Sequence, residues 1–185
     1  MTTSGNRFLR SSAGRRRFST FGKQTAVSKM IFQFGKTIVD IDRERTRAFY
    51  ETAGTVGESC SCAGCRNLEA AAGLLPPPVG AFLADVGVDL RKVCECYVIC
   101  ANPDGTLLYG GFCHVCGVVP AGGRIDEAEE YPVDERFRVS LREELDLLEE
   151  GFPVPALQLE FTASIPWALG GENPYSAAPE AEHTP

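Results

Sequence analysis

The chain has 185 residues, of which 44% are hydrophobic and 23% are charged, an ordinary globular composition that supports one well-cored domain. It contains no apolar run close to the roughly 18 residues of a membrane helix, and no apolar core of a secretory signal. We therefore expect a soluble, cytoplasmic protein with no membrane partner. In that compartment the 8 cysteines stay reduced, which favours metal binding over disulfides.

Charge is distributed unevenly along the chain. Residues 1–29 hold seven of the 18 basic residues and none of the 25 acidic ones, so residues 30–185 carry a net charge of −14. An acidic surface disfavours nucleic-acid binding, which depends on clustered Lys and Arg, but it is compatible with a protein partner. We expect residues 1–29 to be a disordered basic tail, with translation starting at Met30. The alternatives are a basic arm and a transit peptide, and the latter would make the protein organellar.

The first predicted elements are a strand or hairpin and a helix. Residues 31–41 contain β-branched and aromatic residues around a Gly35-Lys36 turn, which predicts a short strand or hairpin. Asp42 is placed as the N-cap of a helix over residues 43–53, which contributes Phe49 and Tyr50 to the core and is ended by Gly54.

Three cysteines then fall within six residues, at Cys60, Cys62 and Cys65. A helix is predicted to follow over residues 67–73 and to stop at the proline run 76–78. Residues 79–86 show apolar spacing at i, i+3, i+4 and i+7, which predicts an amphipathic helix with Gly87 just beyond its end.

The clearest local pattern is a β-hairpin with strands over residues 93–101 and 106–119. The connecting residues Asn102-Pro103-Asp104-Gly105 place proline at i+1 and glycine at i+3, which is typical of a type I turn with a bulge at the glycine. The acidic residues that follow, 120–135, are expected to form a solvated loop.

Two further strands are predicted near the end of the chain. Residues 137–141 and 157–165 alternate between apolar and polar, whereas residues 141–150 are ambiguous between strand and helix. These elements predict one α+β domain over residues 30–169, with two or three short helices on one face of a mostly antiparallel sheet. The proline-containing residues 170–185 are expected to form a second disordered tail.

Several motifs together are similar to those of a small uncharacterised bacterial domain family. The resemblance spans roughly Ile31 to Leu169 and implies an intracellular bacterial protein whose domain starts near Met30, but it implies no activity. It is carried by Cys60-x-Cys62-x-x-Cys65-Arg66-Asn67, Asp104-Gly105, Tyr109-Gly110-Gly111-Phe112, Gly151-Phe152-Pro153, Gln158-Leu159-Glu160-Phe161 and Ile165-Pro166-Trp167.

The crowded cysteines predict a thiolate metal site, and zinc is the expected ion. A Cys-x-x-Cys turn presents two thiolates to one tetrahedral ion, and Cys62 and Cys65 have this spacing, with Cys60 able to supply a third sulfur. A fourth ligand must come from elsewhere. A second Cys-x-x-Cys, at Cys113 and Cys116, follows after 47 intervening residues, and we include both as candidate ligands.

A different grouping follows from the hairpin. If Asn102 faces Thr106, then Cys94 lies opposite His114 and Cys96 opposite Phe112. In that register Cys94, Cys96, His114 and Cys116 would share one face of the sheet, although a shift of one residue would remove the arrangement.

Other interpretations of the same thiols remain open. Free cysteine is among the most buried residue types, so Cys94, Cys96, Cys100, Cys113 and Cys116 are also expected as core residues. A thiol-based redox enzyme or sensor using Cys62 and Cys65 is the main functional alternative, because a Cys-x-x-Cys at a helix N-terminus has a lowered thiol pKa. No other catalytic constellation is evident, and we expect a non-catalytic zinc-binding module with a binding or regulatory role.

Overall fold

The computed structural model describes residues 29–176, so the predictions for residues 1–28 and 177–185 lie outside the described part of the chain. The described residues form seven strands: β1 (Lys29–Phe34), β2 (Thr37–Asp42), β3 (Glu95–Ala101), β4 (Leu107–Val118), β5 (Tyr131–Asp134), β6 (Phe137–Arg142) and β7 (Ala156–Ile165). Four α-helices accompany them: α1 (Arg43–Thr52), α2 (Val56–Ser59), α3 (Ala63–Ala71) and α4 (Pro77–Val86). Short 3-10 helices span Ala72–Leu74 and Leu90–Lys92.

The strands form one antiparallel sheet in the order β1-β2-β4-β7-β6-β5, and β3 also pairs with β4. The predicted α+β class is therefore confirmed. β7 follows one edge of β4 from Leu107 to Cys116, whereas the other edge is shared between two strands. β3 pairs with this edge from Leu107 to Phe112, and β2 pairs with it at Gly117 and Val118.

Helix α1 supplies hydrogen bonds to the edge of β4 between β3 and β2. The Tyr50 hydroxyl donates to the His114 carbonyl at 2.9 Å and accepts from the His114 N–H at 3.1 Å. The Thr46 hydroxyl accepts from the Cys116 N–H at 2.9 Å. Backbone groups of β4 that have no strand partner on this edge are thus satisfied by side chains of a helix.

The core lies between the helices and the apolar residues of the sheet. β4, in the middle of the sheet, is buried on both faces at most of its positions, whereas in β6 and β7 the apolar residues at every second position are buried. They pack in a single cluster with the buried helix residues, which include Tyr50, Leu68, Val79 and Leu83. The predicted buried face of β7 is confirmed, since Leu157, Leu159, Phe161, Ala163 and Ile165 are all in this cluster.

Several predicted element ends are present. The Asp42 carboxylate accepts the Arg45 N–H at 3.1 Å as the N-cap of α1. Gly87 follows α4 with φ of +80°, and a Cβ there would lie 2.5 Å from the Arg43 carbonyl oxygen. Helix α1, in contrast, ends in the extended residue Ala53 rather than in a left-handed Gly54.

Other elements differ from the predictions. Helix α2 was not anticipated, and α3 begins at Ala63, inside the cysteine motif, rather than at residue 67. The expected loop over residues 120–135 contains β5, whose Tyr131 ring packs 5.3 Å from that of Phe34. In the ambiguous segment, residues 141–142 end β6, and residues 143–155 contain neither helix nor strand.

The predicted hairpin is present, but its register changes part of the way along β3. Asn102 faces Thr106 as expected, with a 2.7 Å hydrogen bond from the Asn102 N–H to the Thr106 carbonyl, and Gly105 has φ of +83°. The register then shifts between Val98 and Cys100, so Cys96 lies opposite Gly111 and not opposite Phe112. The prediction for Cys96 was wrong because Ile99 occupies a bulge, and the extra residue turns the side chains of Glu95–Val98, which precede it in β3, to the other face.

The described chain extends past Leu169, the predicted end of the domain. The Tyr175 hydroxyl accepts the Gly64 N–H at 3.1 Å, and its ring packs against the core cluster. Within residues 29–176, every helix is too short to cross a bilayer.

Candidate metal centre

The sulfurs of Cys60, Cys62 and Cys65 come together at the junction of α2 and α3. All three lie within 4.8 Å of one another, close enough for a single metal ion to contact each of them. Cys60 is the extended residue that ends α2, Cys62 is the N-cap of α3, and Cys65 lies in its first turn. Of the sites predicted from the sequence, the crowded triplet is the one that the structure gathers into a single group among residues 29–176.

Local geometry explains why these residues converge. Cys62 has extended backbone angles, and its Sγ accepts the Cys65 N–H at 3.3 Å, as the side chain of an N-cap residue does. The preceding turn is held by the Glu58 carboxylate, which accepts the Thr55 N–H at 2.8 Å. Two successive helix starts thus fold the chain back on itself around the thiols.

The three thiols have different electrostatic environments. The hydrogen bond from the Cys65 N–H lowers the pKa of the exposed Cys62 thiol, as expected for a group at a helix N-terminus. Burial raises the pKa of the Cys65 thiol well above its ordinary value, and contacts with the Cys60 and Cys62 sulfurs raise it further. The Cys62 thiol therefore ionises more readily than the Cys65 thiol, which needs a positive charge nearby before it releases its proton.

A fourth sulfur approaches the group from the sheet. The Sγ of Cys96, on β3, lies 3.7 Å from that of Cys65, and burial raises the pKa of the Cys96 thiol to about 11. The contact was not predicted from the sequence, because the predicted register places Cys96 on the opposite face of the hairpin. The bulge at Ile99 decides the face, and no local residue pattern indicated it.

A network of buried polar groups fixes the start of α3 against the sheet. The Tyr109 hydroxyl donates to the Gly64 carbonyl at 3.0 Å and accepts from the Asn67 amide at 3.1 Å. A Cβ at Gly64 would lie 3.1 Å from Val98 and 3.0 Å from the Tyr175 hydroxyl, so glycine permits the close approach of the helix to β3. The backbone that carries Cys62 and Cys65 is therefore held by contacts that do not depend on a metal.

The other two predicted ligands lie elsewhere. Cys113 is buried in β4, and its thiol donates to the Leu159 carbonyl at 3.6 Å. Cys116 is also buried, three residues further along the same strand, where the alternation of a strand turns it to the opposite face. Neither residue belongs to the group formed by Cys60, Cys62 and Cys65, and the expectation that both are core residues describes them better.

The predicted pairing of Cys94 with His114 is met in part. The Cys94 Sγ lies 3.2 Å from the Nδ1 of His114, although the Cys94 N–H donates to the Phe112 carbonyl at 3.1 Å. Burial raises the pKa of Cys94 to about 12 and lowers that of the fully buried His114, so both groups favour their neutral forms. This pair is thus a buried polar contact rather than an activated thiolate.

The expectation of a core position was wrong for Cys100, which is exposed.

Comparisons with protein-family models, with curated proteins and with solved structures find no match to this chain. The resemblance indicated by the sequence motifs therefore stays a prediction.

Proposed function

We propose that the chain is a non-catalytic zinc-binding module in which Cys60, Cys62 and Cys65 hold the ion. The observation that supports this proposal is the convergence of three sulfurs to within 4.8 Å of one another at the start of a helix. Thiolate ligands select soft or borderline ions, and zinc is the commonest ion in structural sites of this kind. The ion would join α2 to α3 and stabilise a surface for binding or regulation.

The exposure of Cys62 and the repulsion expected between thiolates favour a bound metal ion over simple packing as the reason for the convergence of the thiols. Cys62 is exposed, so hydrophobic burial does not account for its position, although the half-buried Cys60 packs against the core cluster. Three ionised thiolates at this distance would repel one another strongly, and a divalent cation removes that repulsion. Because the site needs reduced thiols, it also supports the expectation of a cytoplasmic location.

Metal content tests the proposal. The protein, purified under reducing conditions without added metal, should contain about one zinc per chain, because ligation and folding of such loops are coupled. Replacing Cys62 or Cys65 with Ser should abolish stoichiometric zinc. Chelation should lower the melting temperature without preventing folding, because the domain has a separate core.

The matched control is Cys100→Ser, which removes an exposed thiol of β3 that lies outside the group. This variant should retain full zinc content and the same melting temperature as the unsubstituted protein. Absence of metal from the unsubstituted protein, or retention of stoichiometric metal by both Cys62→Ser and Cys65→Ser, would contradict the proposal.

The second candidate function is a thiol redox sensor, which the position of Cys62 favours. Its sulfur is exposed, caps α3 and has a lowered pKa, as attacking thiols do. In this reaction Cys62 and Cys65 form a disulfide, and a disulfide oxidant such as oxidised glutathione takes up the two electrons and two protons and leaves as two thiols. A metal-free protein with a reversible Cys62–Cys65 disulfide of measurable potential would favour this function over zinc binding.

A further inference from the structure

We propose that Cys96 of β3 is the fourth ligand of the zinc site, which makes it a closed four-thiolate centre that ties helix α3 to the sheet. This inference rests on the proposed function, because it assumes that Cys60, Cys62 and Cys65 hold a metal ion. It assigns a ligand from a strand that lies 31 residues beyond Cys65 in the chain.

The distance between sulfurs supports the assignment. With Zn–S bonds of about 2.3 Å, two sulfurs of a regular tetrahedron lie about 3.8 Å apart. The Sγ atoms of Cys65 and Cys96 are 3.7 Å apart, so this pair already has the separation that a tetrahedral ion requires. Cys96 lies outside the group whose sulfurs are all within 4.8 Å of one another, so binding all four thiolates requires its side chain to move closer to Cys60 or Cys62.

The bulge in β3 explains how Cys96 reaches the helix side of the sheet. In a hairpin without a bulge, Cys96 would lie opposite Phe112. The partner of Phe112 on β7 is the polar residue Glu160. The bulge at Ile99 instead places Cys96 opposite Gly111, in the row of β4 that contains Tyr109 and faces α3. Val98, two residues away on the same face, packs against Gly64 of α3, so the contact continues along the strand.

A fourth thiolate has a consequence for the chemistry of the site. Catalytic zinc sites keep one position for water or substrate, whereas structural sites are closed by four protein ligands. With Cys96 bound, the ion has no open position, which agrees with the non-catalytic role. The ion would also link two segments that are distant in the sequence, and this gives it more effect on stability than a link within one loop.

The test compares the unsubstituted protein with Cys96→Ser, using Cys100→Ser on the same strand as the matched control. Zinc K-edge X-ray absorption should show four sulfur neighbours in the unsubstituted protein and in Cys100→Ser. Zinc in Cys96→Ser should show three sulfur neighbours and one lighter atom. The zinc affinity of this variant should fall by at least about tenfold, because even the loss of a residue that only hydrogen-bonds to a ligand usually costs that much. Circular dichroism verifies that each variant is folded.

The same question can be answered without a substitution, should Cys96→Ser fail to fold. In the zinc-loaded protein, Cys62 and Cys96 should both be protected from alkylation by iodoacetamide. Chelation should raise the rate at each thiol, with Cys96 remaining the slower because burial raises its pKa to about 11. Mass spectrometry of the peptides measures this directly. Alkylation of Cys96 at equal rates with and without zinc would overturn the inference.

The outcomes separate the two proposals. Three sulfurs and one nitrogen or oxygen in the unsubstituted protein, with no change in Cys96→Ser, would overturn the assignment of Cys96 and leave the zinc module intact. No bound metal in the unsubstituted protein would overturn the zinc module, and the role of Cys96 as a ligand with it.

Discussion

The Tyr50 hydroxyl makes two hydrogen bonds to one residue of β4, and this contact shows how single side chains complete the sheet. It donates to the His114 carbonyl and accepts from the His114 N–H, at a position where the edge of β4 lies between β3 and β2. Burial raises the pKa of Tyr50 well above its ordinary value, so the hydroxyl stays protonated and can serve as both donor and acceptor. One phenol thus satisfies two buried backbone groups that have no strand partner on this edge.

At the residue scale we expect Tyr50→Phe to destabilise the protein by at least about 2 kcal/mol. The substitution keeps the ring but leaves a buried N–H and a buried carbonyl unpaired, and each costs about 1–3 kcal/mol. Urea denaturation of both proteins measures the difference in the free energy of unfolding. The control is Tyr97→Phe, at a side chain that is 54% exposed, where a change within about 0.5 kcal/mol is expected. Equal stability of Tyr50→Phe and the unsubstituted protein would contradict this account of β4.

At the scale of elements, the β3–β4 hairpin combines a tight turn with a bulge. The turn is organised locally, because the Asp104 carboxylate accepts hydrogen bonds from both the Thr106 N–H and the Thr106 hydroxyl, at 3.0 Å and 2.6 Å. Gly105 completes it with φ of +83°, a conformation that strains residues with a Cβ. The turn sets the register of the residues next to it, and the bulge at Ile99 then shifts the register of the rest of β3.

The turn makes a prediction that separates backbone strain from crowding. A Cβ at Gly105 would meet no atom within 4 Å, so Gly105→Ala should cost about 1 kcal/mol through the positive φ alone. The control is Gly80→Ala on α4, which also has open space but helical backbone angles, and it should stabilise the protein by about 0.5–1 kcal/mol. In thermal denaturation, the melting temperature should therefore fall for Gly105→Ala and rise for Gly80→Ala. A shift in the same direction for both would show that φ does not decide the outcome.

At the scale of the whole molecule, Asn67 joins three parts of the chain that are far apart in sequence. Its amide group donates to the Tyr109 hydroxyl and to the Pro166 carbonyl, both at 3.1 Å, and its oxygen accepts the Ala168 N–H at 2.7 Å. The Asn67 side chain is fully buried, and its bond to the Tyr109 hydroxyl is buried as well, whereas the bonds to Pro166 and Ala168 are part-buried. Asn67 thereby fixes α3 to β4 and to the segment that follows β7.

We expect Asn67→Leu to destabilise the protein by at least about 2 kcal/mol, because it leaves the Ala168 N–H and the Pro166 carbonyl without their partner. Chemical denaturation measures the loss. Asn173→Ala serves as the control, since the Asn173 side chain makes a local contact with the Tyr175 N–H, and a smaller loss is expected. Similar losses in the two variants would mean that Asn67 does not connect the three segments as described.

The sequence by itself determined the features that depend on neighbouring residues. The Asp42 cap, the left-handed Gly87 and the Asn102–Gly105 turn were all predicted, because each follows from the conformational preferences of a few consecutive residues. The crowding of Cys60, Cys62 and Cys65 belongs to the same class, since a chain that places thiols two and three residues apart keeps them close in most folded conformations. Alternation in β7 likewise predicted its buried face.

Only the tertiary structure decided which distant residues join these features. A bulge such as the one at Ile99 carries no strong residue signature, yet it reverses the face of Cys96, so one residue of register determines whether that thiol meets Cys65. The acidic, proline-containing segment of β5 becomes an edge strand only because β6 is there to pair with it. Cys113 and Cys116 show the converse, because their spacing matches that of metal ligands while the alternation of β4 sends them to opposite faces of the sheet. Local preference specifies the pieces of this protein, whereas long-range pairing specifies which thiols can share an ion.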